Sequence, residues 1–395
     1  MNLLFLYRIY PNFGGVETVT TVLANRFVKD GHQVTIVSIE QPHMELMEQL
    51  DSNIKLFKLE YPVNCAGNIS KLHEIVVNRK IDCIVNQWGL PFKTTKLCNA
   101  AIRGTSCHVI SVLHGSPYTS KIIISAQDKV KNARNFLTKA FMWLVLKAKE
   151  SIIKWSIRYN IAHNDRYILL SNGFIKPLVD YSKTKKTDNI IAIGNPITIP
   201  VNLEGFSLSD KKKQILYAGR MDFENKRVNR ILYAWHSIAD EYPDWNLVLV
   251  GDGPHKPDLL KMIEMDNIPR VSFFGFQKEP PINFYKDASI YMLTSDLEGF
   301  GLVIIESMSY GVVPIVYGSY EAVYDIIENG KSGFITPQPY SNKITVNCLR
   351  KLMDDEKLRK MMALNAMEKA QTFALNEVTK QWYSVLQEII ISKRN

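Results

Sequence analysis

The sequence lacks any apolar run long enough to cross a bilayer. A transmembrane helix needs roughly 18 to 20 consecutive apolar residues, whereas the longest run here, residues 140–146, has a lysine on either side. No basic segment precedes the first apolar residues, and Arg8 and Pro11 follow too soon for a secretory signal. The N-terminus is therefore predicted to be a first strand followed by a loop.

Cysteine is also scarce. The five cysteines are odd in number, unclustered and without a C-x-x-C spacing, and they are Cys65, Cys83, Cys98, Cys107 and Cys348. This pattern favours a cytoplasmic protein with reduced thiols.

Several binding signatures are missing too. The chain contains no zinc-finger spacing, no aromatic RNA-binding signature and no arginine-rich tail, so we expect no nucleic-acid partner. The dinucleotide fingerprint G-x-G-x-x-G is absent as well, which argues against a nicotinamide enzyme.

Basic charge is present in excess, but it is unevenly spread. Residues 1–200 carry 25 Lys+Arg against 14 Asp+Glu, whereas residues 201–395 carry 23 against 25. A basic first half suits nucleic acid, anionic lipid or a phosphorylated substrate, and charge alone does not choose among these partners.

Apolar runs of strand length alternate with helical patterns through both halves of the chain. This alternation predicts βαβ units, and 395 residues are enough for two domains. We predict a first α/β domain over 1–199, a linker over 200–213 and a second α/β domain over 214–377. The tail is predicted to be helical, and residues 378–395 to pack back on the first domain.

The segment SDLEGFGLVIIE, residues 295–306, is the most informative. A strand is predicted to end near Thr294 and a helix to start near Gly301, so backbone N–H groups face the carboxyl edge of the sheet, a geometry that binds phosphate. Glu298 and Glu306 would reach different parts of one ligand. The plainer alternative is an ordinary turn whose glutamates cap a helix and lie in solvent.

This segment, with the SMSYGVVPIV that follows it, resembles the E-x7-E signature of the family 4 retaining glycosyltransferases. The resemblance implies the GT-B fold, with two Rossmann-like domains facing each other across a cleft. It further implies that Glu298 contacts the donor sugar and Glu306 holds the ribose. Amides at five positions would contact the sugar and diphosphate: Gly299, Phe300, Gly301, Leu302 and Val303.

A second element, YAGRMDFENKR at 217–227, resembles the family's Gly-Arg…Lys motif. The matched positions are Gly219, Arg220 and Lys226, and the resemblance implies that the two cations neutralise the diphosphate as the glycosidic bond breaks. Phe276 would lie near the nucleotide base. By spacing alone, a solvated basic loop is the commoner explanation.

The first domain resembles the family less specifically. FGGVET, residues 13–18, follows the first strand, and the resemblance places Gly14 and Gly15 near the donor and Glu17 on the acceptor side. His114 ends the strand HVISVL at the edge where open sheets bind ligands. The family has a histidine here that lines the donor sugar. We therefore expect His114 to be catalytic, as a polar residue on the acceptor side that contacts this sugar, although a structural histidine is the plain alternative.

Residues 119–160 match no family motif. As a helix, their apolar residues from Leu137 to Trp155 share one face, and the segment carries nine Lys/Arg against Asp128 and Glu150. Such a helix could lie on an anionic membrane. The alternative is a helix that packs into the core and exposes only its basic face.

Together these features predict a retaining, metal-independent glycosyltransferase of cell-surface polysaccharide synthesis, such as lipopolysaccharide or capsule. The donor would be a nucleotide-diphosphate sugar, UDP favoured, and the acceptor a glycan or lipid-linked hydroxyl, reached in the cytoplasm or at the inner membrane face. Asp-x-Asp is absent from the chain, so neither a metal nor a cofactor is expected. A sugar-nucleotide epimerase of the same architecture and a non-catalytic nucleotide-sugar-binding protein remain alternatives.

Overall fold

A computed structural model describes residues 1–116 and 120–392 of the chain. Thr119, which begins the predicted segment 119–160, and residues 393–395, which end the predicted segment 378–395, lie outside the described residues.

The chain forms two compact units. The first contains residues 1–195 and the chain from Val378 onward, and the second contains residues 196–377. The boundary thus lies between Asn195 and Pro196, and residues 200–213, predicted as a linker, belong to the second unit.

The first unit is built on a seven-stranded sheet in which every pairing is parallel. Its strands are β1 (Asn2–Ile9), β2 (Gln33–Glu40), β3 (Lys55–Lys58), β4 (Cys83–Asn86), β5 (His108–Leu113), β6 (Arg166–Leu169) and β7 (Ile190–Ala192). They lie in the order β3-β2-β1-β4-β5-β6-β7, so the direction of winding reverses between β1 and β4. The edge strand β3 was not predicted, because its four residues carry too little periodic signal.

Helices follow most of these strands. They are α1 (Gly15–Lys29), α2 (Ala66–Asn78), α3 (Phe92–Ala101), α4 (Lys121–Lys131), α5 (Phe136–His163) and α6 (Ile175–Ser182). The long helix α5 begins where the sequence supplies a cap, since Asn135 Oδ1 accepts a hydrogen bond of 2.8 Å from Thr138 N.

The second unit repeats the architecture with a six-stranded parallel sheet. Its strands are β8 (Gln214–Ala218), β9 (Asn246–Val250), β10 (Val271–Phe274), β11 (Ile290–Leu293), β12 (Val313–Tyr317) and β13 (Phe334–Thr336). The order is β10-β9-β8-β11-β12-β13, so the winding reverses between β8 and β11. Two parallel sheets with alternating helices confirm the predicted α/β class.

The helices of the second unit flank this sheet. They are α7 (Val228–His236), α8 (Lys256–Met265), α9 (Ile282–Asp287), α10 (Leu302–Ser309), α11 (Ala322–Ile326), α12 (Asn342–Asp354) and α13 (Glu356–Gln371).

The tail is helical, but it is not one helix. After α13 the chain turns at Phe373, whose carbonyl accepts from Ile197 N at 2.8 Å, and the last helix, α14 (Leu375–Ser392), then begins. Within the first unit, Tyr383 of α14 donates to Asp30 Oδ2 at 2.7 Å. None of the helices among the described residues has the length and apolar character that crossing a bilayer requires.

Candidate functional site

The second sheet places two loops side by side where its winding reverses. One follows β8 and runs from Gly219 to Arg227, and the other follows β11 and runs from Thr294 to Gly301. In open α/β sheets the carboxyl edge at such a reversal is the position that binds ligands. Both loops hold residues that the sequence singled out.

Lys226 and Glu298 meet across these two loops. Lys226 Nζ lies 2.5 Å from Glu298 Oε1, and the side chains are 25% and 11% exposed. The Lys226 backbone is fixed as well, since its N–H donates to Asp222 Oδ1 at 2.8 Å. A solvated basic loop is therefore the wrong description for Lys226, which is paired and largely covered.

Arg220 is the opposite case. Its side chain is 63% exposed, and its ion pair with Asp222 Oδ2 spans 3.8 Å. It lies one residue after Gly219, whose N–H donates to Val250 O at 2.9 Å. The guanidinium thus keeps most of its donors for solvent or for a bound anion.

A second charge cluster, which no sequence motif predicted, joins these two loops and the start of α7. Asp296 accepts from Arg227 Nε at 2.5 Å through one oxygen and from Arg230 Nη1 at 2.5 Å through the other. Arg230 also donates to Thr294 O at 2.9 Å. These two arginines therefore hold the two loops together. The sequence signal that could have predicted this cluster is Asp296, an acidic residue two positions before Glu298.

Gly301 forms the N-cap of α10 with a positive φ of 98°. A Cβ there would lie 2.7 Å from Tyr320 Oη, so glycine is required both by conformation and by space. Phe300 is buried, and its ring packs edge-on against Phe373 at 5.7 Å, which leaves only its backbone for a ligand. Gly299, Leu302 and Val303 are half-buried at the same helix start.

Glu306 lies inside α10 and is only 7% exposed. Thr198 Oγ1 donates to its Oε1 at 2.5 Å, and Tyr285 Oη donates to its Oε2 at 3.4 Å. Burial raises the pKa of this carboxyl, while the two hydroxyl donors oppose that shift. The alternative that Glu306 lies in solvent is therefore wrong.

Tyr285 is held in turn by Lys211, a half-buried lysine. Lys211 Nζ donates to Tyr285 O at 2.6 Å and to Ala288 O at 2.8 Å, the carbonyls at the end of α9. Burial lowers the pKa of Lys211 to about 7. No sequence motif pointed to Thr198, Tyr285 or Lys211.

Phe276, which was expected to lie near the nucleotide base, follows β10 and is well exposed.

In the first sheet, the loop after β1 leads into α1 through Gly14 and Gly15. Gly14 is the N-cap, and a Cβ on it would lie 2.3 Å from Glu17 Oε2, so a side chain here would displace that carboxylate. Burial raises the pKa of Glu17, while a hydrogen bond from Asn12 opposes the rise.

His114 follows β5, the neighbour of β4, and contacts Gln87 at the end of β4. The Nε2 to Gln87 Oε1 distance is 2.5 Å, and since that oxygen only accepts, Nε2 carries the proton. Burial lowers the pKa of His114 to about 4. Its Nδ1 is buried and has no hydrogen-bond partner among the described residues. Gln87 was not predicted, although it leaves its strand at the same sheet edge.

Comparison with protein families agrees with this architecture. The model described as "Glycosyl transferases group 1" matches residues 202–369, and the model described as "Glycosyltransferase Family 4" matches residues 13–197. The fold and site therefore define a glycosyltransferase of the GT-B class. Within that class, the chain belongs to glycosyltransferase family 4, as the sequence resemblance indicated.

Individual relatives extend over nearly the whole chain. An uncharacterized glycosyltransferase of Haemophilus influenzae is 24% identical and matches 94% of this chain and 96% of its own. An α-1,4-N-acetyl-D-galactosaminyltransferase of Campylobacter jejuni, whose name includes an undecaprenol-diphosphate-linked glycan, is 24% identical over 96% of each chain.

A solved structure shares the fold. Anabaena HepE in complex with UDP superimposes with a TM-score of 0.74 at 18% identity, covering 98% of this chain and 100% of that one. The GT-B fold predicted from the resemblance is confirmed.

Proposed function

We propose that this glycosyltransferase moves a sugar from a nucleotide-diphosphate donor, UDP-sugar favoured, to a hydroxyl group, and that it retains the anomeric configuration. The acceptor is a glycan or lipid-linked glycan of cell-surface polysaccharide synthesis. The observation that carries this proposal is the Lys226–Glu298 pair of 2.5 Å at the reversal point of the second sheet. It holds a phosphate-binding cation and a hydroxyl-binding carboxylate side by side.

Donor binding uses the second unit. Arg220 and Lys226 face the diphosphate. Glu298 accepts hydrogen bonds from the sugar hydroxyls, and Glu306 accepts them from the ribose hydroxyls. The backbone N–H groups from Gly299 to Val303 supply further donors. HepE in complex with UDP-glucose, a protein of the same fold, supports the choice of UDP.

The reaction exchanges one C–O bond for another on the same face of the sugar. The bond from the anomeric carbon to the diphosphate oxygen breaks, and a bond to the acceptor oxygen forms. The acceptor proton passes to the departing diphosphate oxygen. Arg220 and Lys226 stabilise the charge that builds on that oxygen, so we propose that no metal ion takes part.

The acceptor is assigned to the first unit. His114 is neutral at pH 7, because burial lowers its pKa to about 4. Its Nδ1, which has no partner among the described residues, accepts a hydrogen bond from the acceptor hydroxyl. Glu17, at the start of α1, provides a second acceptor group. The undecaprenol-linked substrate in the Campylobacter relative's name supports a lipid-linked acceptor, and we place the enzyme at the inner membrane face.

One screen tests the donor and the reaction together. UDP-, GDP-, ADP- and dTDP-sugars are compared by thermal shift and by slow hydrolysis, and the anomeric proton of the released sugar is followed by NMR. A UDP-sugar that stabilises the protein and yields the retained anomer is expected. Release of the inverted anomer would refute retention. Loss of turnover on chelation, restored by manganese, would refute the metal-free proposal.

The same screen separates the epimerase alternative. An epimerase converts the donor alone into an isomeric sugar nucleotide, whereas a glycosyltransferase leaves the nucleotide-linked sugar unisomerised. We expect no isomer in the absence of an acceptor. A non-catalytic protein would bind the donor without releasing sugar.

A further inference from the structure

The first half of α5 projects apolar side chains into solvent. Leu137 is 80% exposed, Phe141 62% and Leu144 60%, and the neighbouring Phe136 and Trp143 are exposed as well. Exposed apolar residues are common singly, but a group of this size on one element marks an interaction surface.

Helix α5 has two apolar faces, and only one of them is packed. The packed face consists of Leu146, Ile153, Ile157 and Ile161, all of which are buried. The other recurs at steps of three or four residues. We call it the exposed stripe, and it consists of Leu137, Phe141, Leu144, Ala148, Ile152 and Trp155. Trp155, at the end of the stripe, is 43% exposed and its ring also packs edge-on against Phe92 at 4.6 Å. The other members lie in solvent, so the alternative that this face packs into the core is wrong.

Positive charge surrounds the exposed stripe. Between residues 129 and 149 the chain has six basic side chains and no acidic one, namely Lys129, Lys131, Arg134, Lys139, Lys147 and Lys149. Helix α4 packs against α5 and carries two of them. The nearest carboxylate on α5, Glu150, binds Lys147 at 2.9 Å and leaves the other five charges unneutralised by it.

We propose that the α4–α5 hairpin docks on an anionic lipid surface, with the exposed stripe lying in the headgroup region. Apolar residues beside lysines are what an interfacial helix requires, and Trp155 at the end of the stripe suits the same depth. A second copy of this chain fits poorly, because two patches of the same charge would be brought together. This inference rests on the proposed membrane location of the enzyme and gives it a specific surface.

Vesicle sedimentation of the full chain tests the proposal. Binding is expected to vesicles of mixed phosphatidylglycerol and phosphatidylcholine at low salt, and not to phosphatidylcholine alone. Binding is expected to weaken strongly at about 1 M salt, where the Debye length falls to about 3 Å. No sedimentation with anionic vesicles at low salt would overturn the proposal.

Matched variants locate the surface. The triple variant Phe141→Ser, Leu144→Ser and Ile152→Ser should reduce the partition coefficient at least tenfold. The control changes three exposed apolar residues of the second unit, Leu260→Ser, Met361→Ser and Leu364→Ser, and should leave it unchanged. An equal loss in both would overturn the assignment to α5.

Charge is tested in the same way. Lys139→Gln with Lys149→Gln should lower the partition coefficient about 25-fold, since each lysine near an anionic leaflet contributes about fivefold. Lys261→Gln with Lys357→Gln, two exposed lysines of the second unit, is the control. Equal partition coefficients in the two double variants would overturn the charge argument.

Two further measurements keep the outcomes apart. Sedimentation velocity without lipid should show a monomer. If the wild type is a dimer and the triple variant of Phe141, Leu144 and Ile152 is a monomer, the stripe serves self-association instead. UDP-induced thermal stabilisation is measured on every preparation. If UDP stabilises the protein but the protein does not bind vesicles, the proposed donor stands and the membrane inference fails. If the protein binds vesicles but UDP does not stabilise it, only the proposed donor is refuted.

Discussion

The two sheets reverse their winding in the same way but carry different chemistry at the reversal. In the second unit the edge is charged, and its loops are joined by ion pairs. Lys226 pairs with Glu298, and two arginines pair with Asp296. In the first unit the edge has His114 in contact with Gln87 and a half-buried Glu17 whose pKa is raised by burial. Topology thus fixed where each edge lies, and loop residues fixed what it can bind.

This contrast matches two kinds of ligand. A diphosphate needs fixed cations, whereas a neutral hydroxyl needs hydrogen-bond acceptors that stay unprotonated at pH 7. In the second unit the Lys226 ammonium is already paired with Glu298. The proposed function therefore requires that a bound donor draws Lys226 partly away and gives the Glu298 carboxylate sugar hydroxyls in exchange.

The largest expected effect is the loss of the Lys226 charge. Lys226→Ala should lower kcat by about 100- to 1000-fold, with a smaller change in donor affinity, because the cation matters most as the diphosphate departs. Lys331→Ala, which removes another ion-paired lysine of the same unit, is the control and should be near neutral. Steady-state kinetics with equal kcat in the two variants would contradict the assignment.

Next comes the buried carboxylate. Glu306→Ala should weaken donor binding by about 1.5 to 3 kcal/mol, the usual contribution of a hydrogen bond to a charged group. Glu306→Gln keeps the side-chain size and one accepting oxygen, so its loss should be smaller. Calorimetric titration with UDP is the measurement, and an unchanged Kd in the alanine variant would rule out a ribose contact.

His114, at the edge of the first sheet, predicts a pH dependence of stability. The pKa of His114 is lowered to about 4 in the folded state, so the unfolded chain binds its proton first on acidification. Its stabilising contribution is complete above pH about 6.5 and is lost as the pH falls toward 4, by up to about 3 kcal/mol. Denaturant unfolding at pH 7 and pH 5 should show a smaller difference for His114→Gln than for wild type.

The control for this experiment is His43→Gln, a surface histidine of the first unit that pairs with Glu45. It should keep most of the wild-type difference. If the His114 variant keeps the full pH dependence of stability seen in the wild type, the protonation of His114 does not contribute to that dependence.

The smallest effect concerns how Glu306 is positioned. Tyr285→Phe removes the hydroxyl 3.4 Å from Glu306 Oε2 and should weaken UDP binding about two- to tenfold. Tyr310→Phe removes a comparable hydrogen bond, to Pro200 O at 2.8 Å, and should leave UDP affinity unchanged. Equal Kd values would mean that Tyr285 has no positioning role.

Much of the architecture followed from the sequence. Alternating strand and helix periods predicted two parallel sheets, and the spacing of Glu298 and Glu306 placed one glutamate in a turn and the other in a helix. Both features depend on residues close together in the chain, which local periodicity and capping preferences determine. The short edge strands β3 and β13 were missed because three or four residues carry too little periodic signal.

Only the tertiary structure decided which groups meet. Thr198 reaches Glu306 across 108 residues, and Gln87 reaches His114 across 27, because strand order and helix packing bring distant segments together. The sequence of α5 shows apolar residues on two faces, but periodicity does not say which face a neighbouring element covers. Packing against the first unit buried Ile153 and Ile157 and left Phe141 and Leu144 in solvent, since one helix can turn only one face to the core.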